Sequence, residues 1–518
     1  MLALKGFPQG VGAPPPRSSR TAIAVVALAA TVFSLFILRF GGSTAGGADT
    51  SGYLASARLL LQGEVSEPAR AVPALPSGGL TTWERAPLGY RPVPGENRIA
   101  PVYPVGFPLH IAAAATITGI DSAVVLVNLL AWIGLVLVLC RLGRELELPD
   151  GWTAAAVVLF GLYPVTVLHY SRVMSDGLAT TWSAATVLFA LKAHRHLRHA
   201  MLAGVALGVA VLVRPTSLLL IPAVLVAERW RWRSLAATVA VGAPLALALG
   251  CYNWATYRTV LTTGYGDVSR EFALANVLPC LVHFGSWLSR QLSPAFLALV
   301  AAGAVAAVLG DRRQRLLLTW GGAIVAFYLF YAPSLQGWWR LRFILPAMPA
   351  LLLSSLLVAR DLSTEVRRRA RDRRGPRLLV IVVLVGALLW AAASSTRAIV
   401  NDRLWSKGRG ETDYRNAARW LERQVEGDAV VLCKQASGAL MFYGRLPIIR
   451  YDRLSDQTAQ ALLQRAGRGE LHLYALLFNV DVGPFEARFG NKWRQVGQLG
   501  QARLRRPPAR QPPPPPSL

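Results

Sequence analysis

Apolar residues come in long uninterrupted runs joined by shorter polar links. The runs at 21–40, 122–140, 152–170, 176–191, 234–251, 292–309, 316–333, 342–359 and 378–396 approach or reach the length of about 20 residues that crosses a bilayer as a helix. Two shorter runs, 201–213 and 215–227, meet at Arg214-Pro215, where a proline breaks or kinks a helix. Backbone groups in lipid must bond within their own segment, so the runs are read as helices; the short alternating strands of a closed barrel are not part of the pattern. The pattern predicts an α-helical polytopic membrane protein of about eleven spans.

The polar segments have patterns of their own. In 41–121, Tyr53, Leu54, Ala57, Leu60 and Leu61 fall on one helical face, as in a helix lying at a membrane surface. A second helix-like stretch covers 107–118, and a Pro/Gly-rich loop joins the two. Another polar piece spans 252–291. Trp338 and Trp339, in the turn 333–340, suit the headgroup level. After 397 the texture becomes that of a soluble domain. Strands are predicted at 428–433 and 471–478 and helices at 413–425 and 456–465, an alternation that indicates a small α/β domain over 397–504. The proline-rich end, 505–518, cannot pack a core and reads as a disordered tail.

Of 518 residues, 53% are hydrophobic and 16% charged, where a soluble chain carries about a quarter. The formal charge of +27 would suit nucleic acid, but its placement argues against that partner. Arg and Lys crowd into 141–144, 192–199, 228–233, 311–315 and 360–377, the last with eight arginines. This is the positive-inside pattern, and it also matches an anionic lipid surface. It holds only if 201–227 crosses out and back, which sets the amino terminus (1–20) inside and the carboxyl terminus outside. The run 21–40 is long for a signal-peptide core and is read as an uncleaved first helix. Cys140, Cys251, Cys280 and Cys433 form no C-x-x-C pair and read as unrelated thiols. Gly-rich nucleotide loops, G-x-S-x-G and H-E-x-x-H are missing. His194, His196 and His199 lie among Lys192, Arg195 and Arg198 and read as a solvated basic loop.

Some ionisable residues are not explained by orientation, and ionisable groups at span ends are functional candidates. On the outer side they are Asp49, Arg58, His169, Arg172, Asp176, Arg214, Arg340 and Arg342. Arg214 sits between apolar neighbours, where a lone guanidinium is costly unless it meets an anion. Arg340 and Arg342 open the tenth run, and the planar fork of arginine suits phosphate. The three predict a lipid phosphate or pyrophosphate at the outer leaflet; pairing with protein carboxylates or headgroups is the competing role. Asp49 and Asp176 each suit a general base, an orienting or metal-binding group, or a plain helix N-cap. Asp121 reads as a cap and Glu84 as a lesser candidate, while Asp267 and His283 lie where 252–291 can meet substrate.

Several segments in order resemble one family. They are Asp49-x-x-x-Tyr53 with Ala57-Arg58 and Gly63, then Tyr103-Pro104-x-Gly106-x-Pro108-Leu109, Tyr163-Pro164 and Ser175-Asp176-Gly177-Leu178. Ala203-Gly204-x-x-x-Gly208 follows and leads into Val213-Arg214-Pro215, and Arg340-x-Arg342-Phe343-x-Leu345-Pro346-x-x-Pro349 ends the set. This order over about 20–360 resembles the GT-C glycosyltransferases, on the protein mannosyltransferase and aminoarabinose transferase (family 39-like) branch. The resemblance implies transfer of a sugar from a polyprenyl-phosphate donor to an acceptor hydroxyl at the outer face, with inversion. It maps the catalytic base onto Asp49 and a second acidic residue onto Asp176. Donor phosphate is expected at Arg214, Arg340, Arg342 and Arg58, and substrate contacts at Tyr53, Tyr103, His169 and His283. Ala48 and Thr50 flank Asp49 where the family often has a second acidic residue. No cofactor is required by this reading, and a divalent metal stays open. The acceptor is a lipid, protein or polysaccharide, and the setting is the inner membrane of a bacterium. Two other readings share the outer arginines: a transporter or flippase of a lipid-linked saccharide, and a lipid-linked oligosaccharide polymerase or ligase.

Overall fold

The structure is a computed structural model that describes residues 19–72, 79–261, 263–369, 374–425 and 428–508. Residues 1–18 of the segment expected inside, and the expected tail from 509 on, lie outside the described residues. The chain is mostly helical. Among the described residues, Arg20–Phe40, Ile120–Glu145, Trp232–Tyr257, Trp338–Arg369 and Leu378–Asn401 are each long and apolar enough to cross a membrane. Two bent pairs, Asp150–Leu162 with Pro164–Tyr170 and Pro294–Val308 with Arg312–Leu329, raise the number to seven if each pair is one span. Gly106–Thr118, Leu197–Val213 and Pro215–Ala227 are apolar but shorter. The protein is a multi-pass membrane protein.

Prolines set the breaks that shape the site. The run expected at 152–170 bends by 63° at Tyr163-Pro164. Tyr163 is extended (ψ 123°), as the ring of the following proline disfavours the helical region. Arg214 is likewise extended before Pro215 (φ −152°, ψ 107°), so it leaves the helix Leu197–Val213 with its side chain free to turn inward. The run expected as one helix over 342–359 begins instead as the 3-10 segment Trp338–Ala347, and the α-helix starts at Met348. Pro346 inside that segment has no N–H to give to a regular ladder. The indole of buried Trp320 donates to the Pro346 carbonyl at 3.0 Å and ties the segment to the helix Arg312–Leu329. A further difference lies in 252–291, where the helix Val277–Gln291 buries Cys280, Phe284, Leu288 and Gln291 along one face. His283, Ser286, Ser289 and Arg290 on its other sides made it too polar to read as a run.

Two small sheets complete the fold. Between the helices Ala48–Leu61 and Gly106–Thr118, β1 (Glu67–Pro68), β2 (Tyr90–Pro92) and β3 (Arg98–Pro101) pair antiparallel in the order β1-β3-β2. The second sheet is built from β4 (Val430–Cys433), β5 (Ile448–Arg450), β6 (Leu473–Leu477), β7 (Arg494–Leu499) and β8 (Ala502–Arg506) in the order β5-β4-β6-β8-β7. β4 and β6 fall on the two stretches read as strands. β4 runs parallel to β5 and β6, and its alternate residues enter two separate cores, one with Ala417 and Leu421, the other with Leu462 and Phe485. A strand covered on both faces reads as a continuous apolar run, which Val430–Cys433 is. β8 carries Arg505 and Arg506, two residues into the segment expected as tail. Arg505 pairs with Glu486 at 2.7 Å and Arg506 lies 4.6 Å over the Tyr474 ring, which gives both a place in the sheet.

Candidate active site

Five elements converge on one cluster of charge. The helix Ala48–Leu61 brings Asp49 in its first turn, and the helix Asp176–Lys192 brings Asp176 in its own. The break after Leu197–Val213 brings Arg214, the 3-10 segment brings Arg340, Arg342 and Phe343, and the helix Pro164–Tyr170 brings His169. Close approach holds the frame. A Cβ on Gly106 would meet the Leu212 and Val213 backbone at 2.4 Å, so glycine is needed where Gly106–Thr118 starts against the residues that precede Arg214.

Asp49 receives a hydrogen bond from the Tyr103 hydroxyl on Oδ1 at 2.9 Å and from Arg342 Nη1 on Oδ2 at 3.1 Å. Its side chain is 34% exposed, so the carboxylate is the open edge of the cluster. Burial first, and then the Asp49 charge, push the Tyr103 phenol well above its ordinary range, which keeps it a donor. Asp176 is enclosed, with 3% of its side chain exposed. Arg214 Nη1 donates to its Oδ1 at 2.6 Å, and His169 Nδ1 lies 3.6 Å from Oδ2, beyond hydrogen-bond reach. Tyr53 reaches across to Ser175 at 3.0 Å, and its ring packs on Tyr103 at 4.4 Å.

The three arginines share one aromatic floor. Arg214, Arg340 and Arg342 lie 5.8, 5.8 and 5.3 Å from the centroid of buried Phe343, within cation–π range. Three guanidinium groups face two carboxylates, which leaves one positive charge over. Arg340 Nη2 bonds Gln336, but Nε of both Arg340 and Arg342 is buried with no partner among the described residues. A buried N–H without an acceptor is costly, and an anion satisfies it.

Two expected residues lie elsewhere. Arg58 stands over the Phe442 ring at 4.3 Å and donates to the Phe442 carbonyl at 2.9 Å. It is nine residues past Asp49, so at about 100° per residue it leaves the opposite side of the helix, whereas Tyr53, four residues on, stays on the Asp49 side. His283 meets the Gly337 carbonyl at 3.3 Å, behind the 3-10 segment. Asp121 lies in the first turn of Ile120–Glu145, and Glu84 closes a capping box with Thr81. Asp267 bonds the Ser269 N–H at 2.9 Å. All four cysteines are free. Among the described residues no group of three or more His, Cys, Asp or Glu side chains gathers as a metal donor set. Asp49 and Asp176 each face a guanidinium, which is ion-pair chemistry.

One contributor gave no signal in the sequence. Glu411, beyond the last apolar run, accepts from Arg172, from Thr50 Oγ1 and from the Gly47 N–H at 3.2 Å. It thereby holds the turn that presents Asp49. Nearby, Gly438 lies so close to Ser51 that a Cβ there would sit 2.0 Å from Ser51 Oγ. The Tyr443 hydroxyl accepts from the Ala45 N–H at 2.9 Å.

No family model matches the sequence, and no curated protein matches it. The backbone is similar to solved structures. ArnT from Cupriavidus metallidurans bound to undecaprenyl phosphate matches with a TM-score of 0.53 at 12% identity, over 94% of this chain and 97% of that one. The oligosaccharyltransferase AglB from Archaeoglobus fulgidus, in complex with an inhibitory peptide and a dolichol-phosphate, matches with 0.50 at 12%, over 89% and 69%. The mycobacterial arabinofuranosyltransferase AftD matches with 0.50 at 15%, over 93% of this chain and 39% of that one. The fold is shared with these three proteins, which are GT-C superfamily membrane glycosyltransferases. At these identities the likeness is one of fold.

Proposed function

We propose that the protein transfers a sugar from a polyprenyl-phosphate donor to an acceptor hydroxyl at the outer face of a bacterial inner membrane. The observation that carries the reading is the pair of buried Nε–H groups on Arg340 and Arg342, without a partner among the described residues, beside the open Asp49 carboxylate. In this reading about eleven segments cross the bilayer, the short helices around Arg214 included, with the amino terminus inside and the second sheet outside.

The donor phosphate lies against Arg340 and Arg342 over Phe343. It draws the Arg342 guanidinium from Asp49 and frees Oδ2. Asp49 takes the acceptor proton, the acceptor oxygen bonds to the anomeric carbon from the far side, and the carbon–phosphate oxygen bond breaks with inversion. Its electron pair stays on the lipid phosphate, where the arginines stabilise the growing charge. Tyr103 holds Asp49 in orientation, and Asp176 fixes Arg214 at the rim of the site. An apolar cleft of about 410 Å³ is lined by Phe284, Leu288, Phe296, Val325, Leu351 and Ile344, the residue after Phe343 in the chain, and its apolar walls suit isoprene units. The undecaprenyl and dolichol phosphates of the two similar structures support a lipid phosphate as the leaving group.

The test is donor consumption by the purified protein in detergent. Polyprenyl-phosphate sugars offered with cell-envelope lipids, peptides and glycans are converted to free polyprenyl phosphate and a glycosylated acceptor. A protein that moves the lipid across vesicle membranes and leaves it intact is a transporter, and the transferase reading is then wrong.

A further inference from the structure

A second cluster of arginines lies at the other end of the bundle. Asp176 opens the helix Asp176–Lys192 and Leu191 nearly closes it, so its 17 residues separate the two ends by roughly 25 Å. There a cavity of about 310 Å³ has Arg195, Arg229, Arg312 and Arg313 in its walls with Glu145 and Glu147. Glu145 takes both nitrogens of Arg195, at 2.9 and 2.7 Å, and Glu147 takes Arg313 at 3.3 Å. Arg229 and Arg312 form no salt bridge or side-chain hydrogen bond among the described residues. Arg313 also lies 3.7 Å from Asp311, so Arg195 and Arg313 are paired, and Arg229 and Arg312 remain as a surplus of two positive charges in the walls without a carboxylate partner among the described residues.

Two further observations set this pocket apart from charge that merely orients a membrane protein. Apolar residues, Leu146, Leu191, Val226, Ala227 and Leu316, complete its walls together with His194. Glu147, Arg229 and Trp230 all hold left-handed backbone (φ 58°, 57° and 57°), which non-glycine residues keep only where the surroundings over-determine it. The turn at Arg229-Trp230 thereby aims Arg229 at the cavity, and exposed Trp230 and Trp232 flank it as interfacial anchors do. Orientation by positive charge needs no cavity, no apolar wall and no strained turn.

We propose that this pocket binds a phosphate monoester, with Arg229 and Arg312 as its principal donors. The phosphate belongs to an anionic lipid headgroup or to a small water-soluble phosphate, and the charge of a monoester matches the surplus. The site is separate from the candidate active site, and its ligand is neither the sugar donor nor the product released there.

The full-length protein in phosphatidylcholine nanodiscs tests it. Native mass spectrometry counts bound lipid when phosphatidic acid is added, and thermal shift reads inorganic phosphate and glycerol 3-phosphate. Retention of phosphatidic acid, falling at least roughly tenfold in the Arg229→Gln/Arg312→Gln variant, supports a lipid-borne phosphate. Stabilisation by the soluble phosphates, lost in the same variant, supports a free one. The exposed Arg198→Gln variant leaves both readings at the wild-type level, and an unchanged melting temperature in buffer shows that the double variant folds. Binding that is absent in the wild type, or equal in wild type and double variant for every probe, overturns the proposal.

Discussion

Asp49 has both carboxylate oxygens committed, one to Tyr103 and one to Arg342, while a third of its side chain stays open. A group so held is oriented, and in the proposed mechanism a competing anion at Arg342 releases it. Asp49→Asn keeps the shape and removes the basicity. Its expected effect is a drop of about 10²- to 10⁴-fold in turnover with donor affinity kept, read by single-turnover transfer and lipid binding on one preparation. Arg342→Lys keeps the charge and loses the planar fork, and we expect donor affinity to fall by about tenfold or more. Arg58→Gln should leave donor affinity unchanged, because Arg58 faces Phe442. Loss of donor binding in Arg58→Gln would contradict the geometry. Asp176, Arg214 and Arg342 could be picked out from sequence because a charge at the end of an apolar run is expensive and needs a reason. Arg58 met the same criterion and misled, since the rule counts distance from a run and ignores the side of the helix.

The 3-10 segment Trp338–Ala347 is the element on which the site depends most. It places Arg340, Arg342 and Phe343 together, and Trp320 holds it through the Pro346 carbonyl. Trp320→Phe leaves that carbonyl without its donor in a buried place. The expected cost is about 1–3 kcal/mol of stability, seen as a lower melting temperature, with weaker donor binding. Wild-type donor affinity in a destabilised Trp320→Phe protein would show that the segment is held by other contacts. Pro215 made the break at 214–215 legible, because the residue before proline is biased away from the helical region, whereas the bend at 163–164 fell inside a run read as one helix. The switch from 3-10 to α at Met348 was not legible. The indole that ties this segment down belongs to Trp320, which lies 26 residues away in sequence. The helix Val277–Gln291 was missed for another reason. Only one face is buried, so its average polarity resembles a loop.

At the scale of the molecule, the segment beyond the last apolar run is part of the site. Glu411 joins Thr50, Gly47 and Arg172. Thr50 and Glu411 are 361 positions apart, and no local pattern announces such a contact. Glu411→Ala should lower kcat by more than it raises KM, because it loosens the turn that carries Asp49 and leaves Arg172 without its carboxylate. Glu411→Asp should recover part of the rate. Equal kinetics for Glu411→Ala and wild type would assign the contact to folding alone. The assigned sidedness has its own check. A cysteine at exposed Gln457, in a Cys251→Ser background, should react with an impermeant maleimide on intact cells, and protection there until lysis would reverse the orientation. The most direct measurement is a cryo-EM map of the full-length protein with polyprenyl phosphate. The account predicts phosphate oxygens within about 3 Å of Nε of Arg340 and Arg342, with the Arg342–Asp49 contact opened. A phosphate bound elsewhere, with that contact intact, would contradict it.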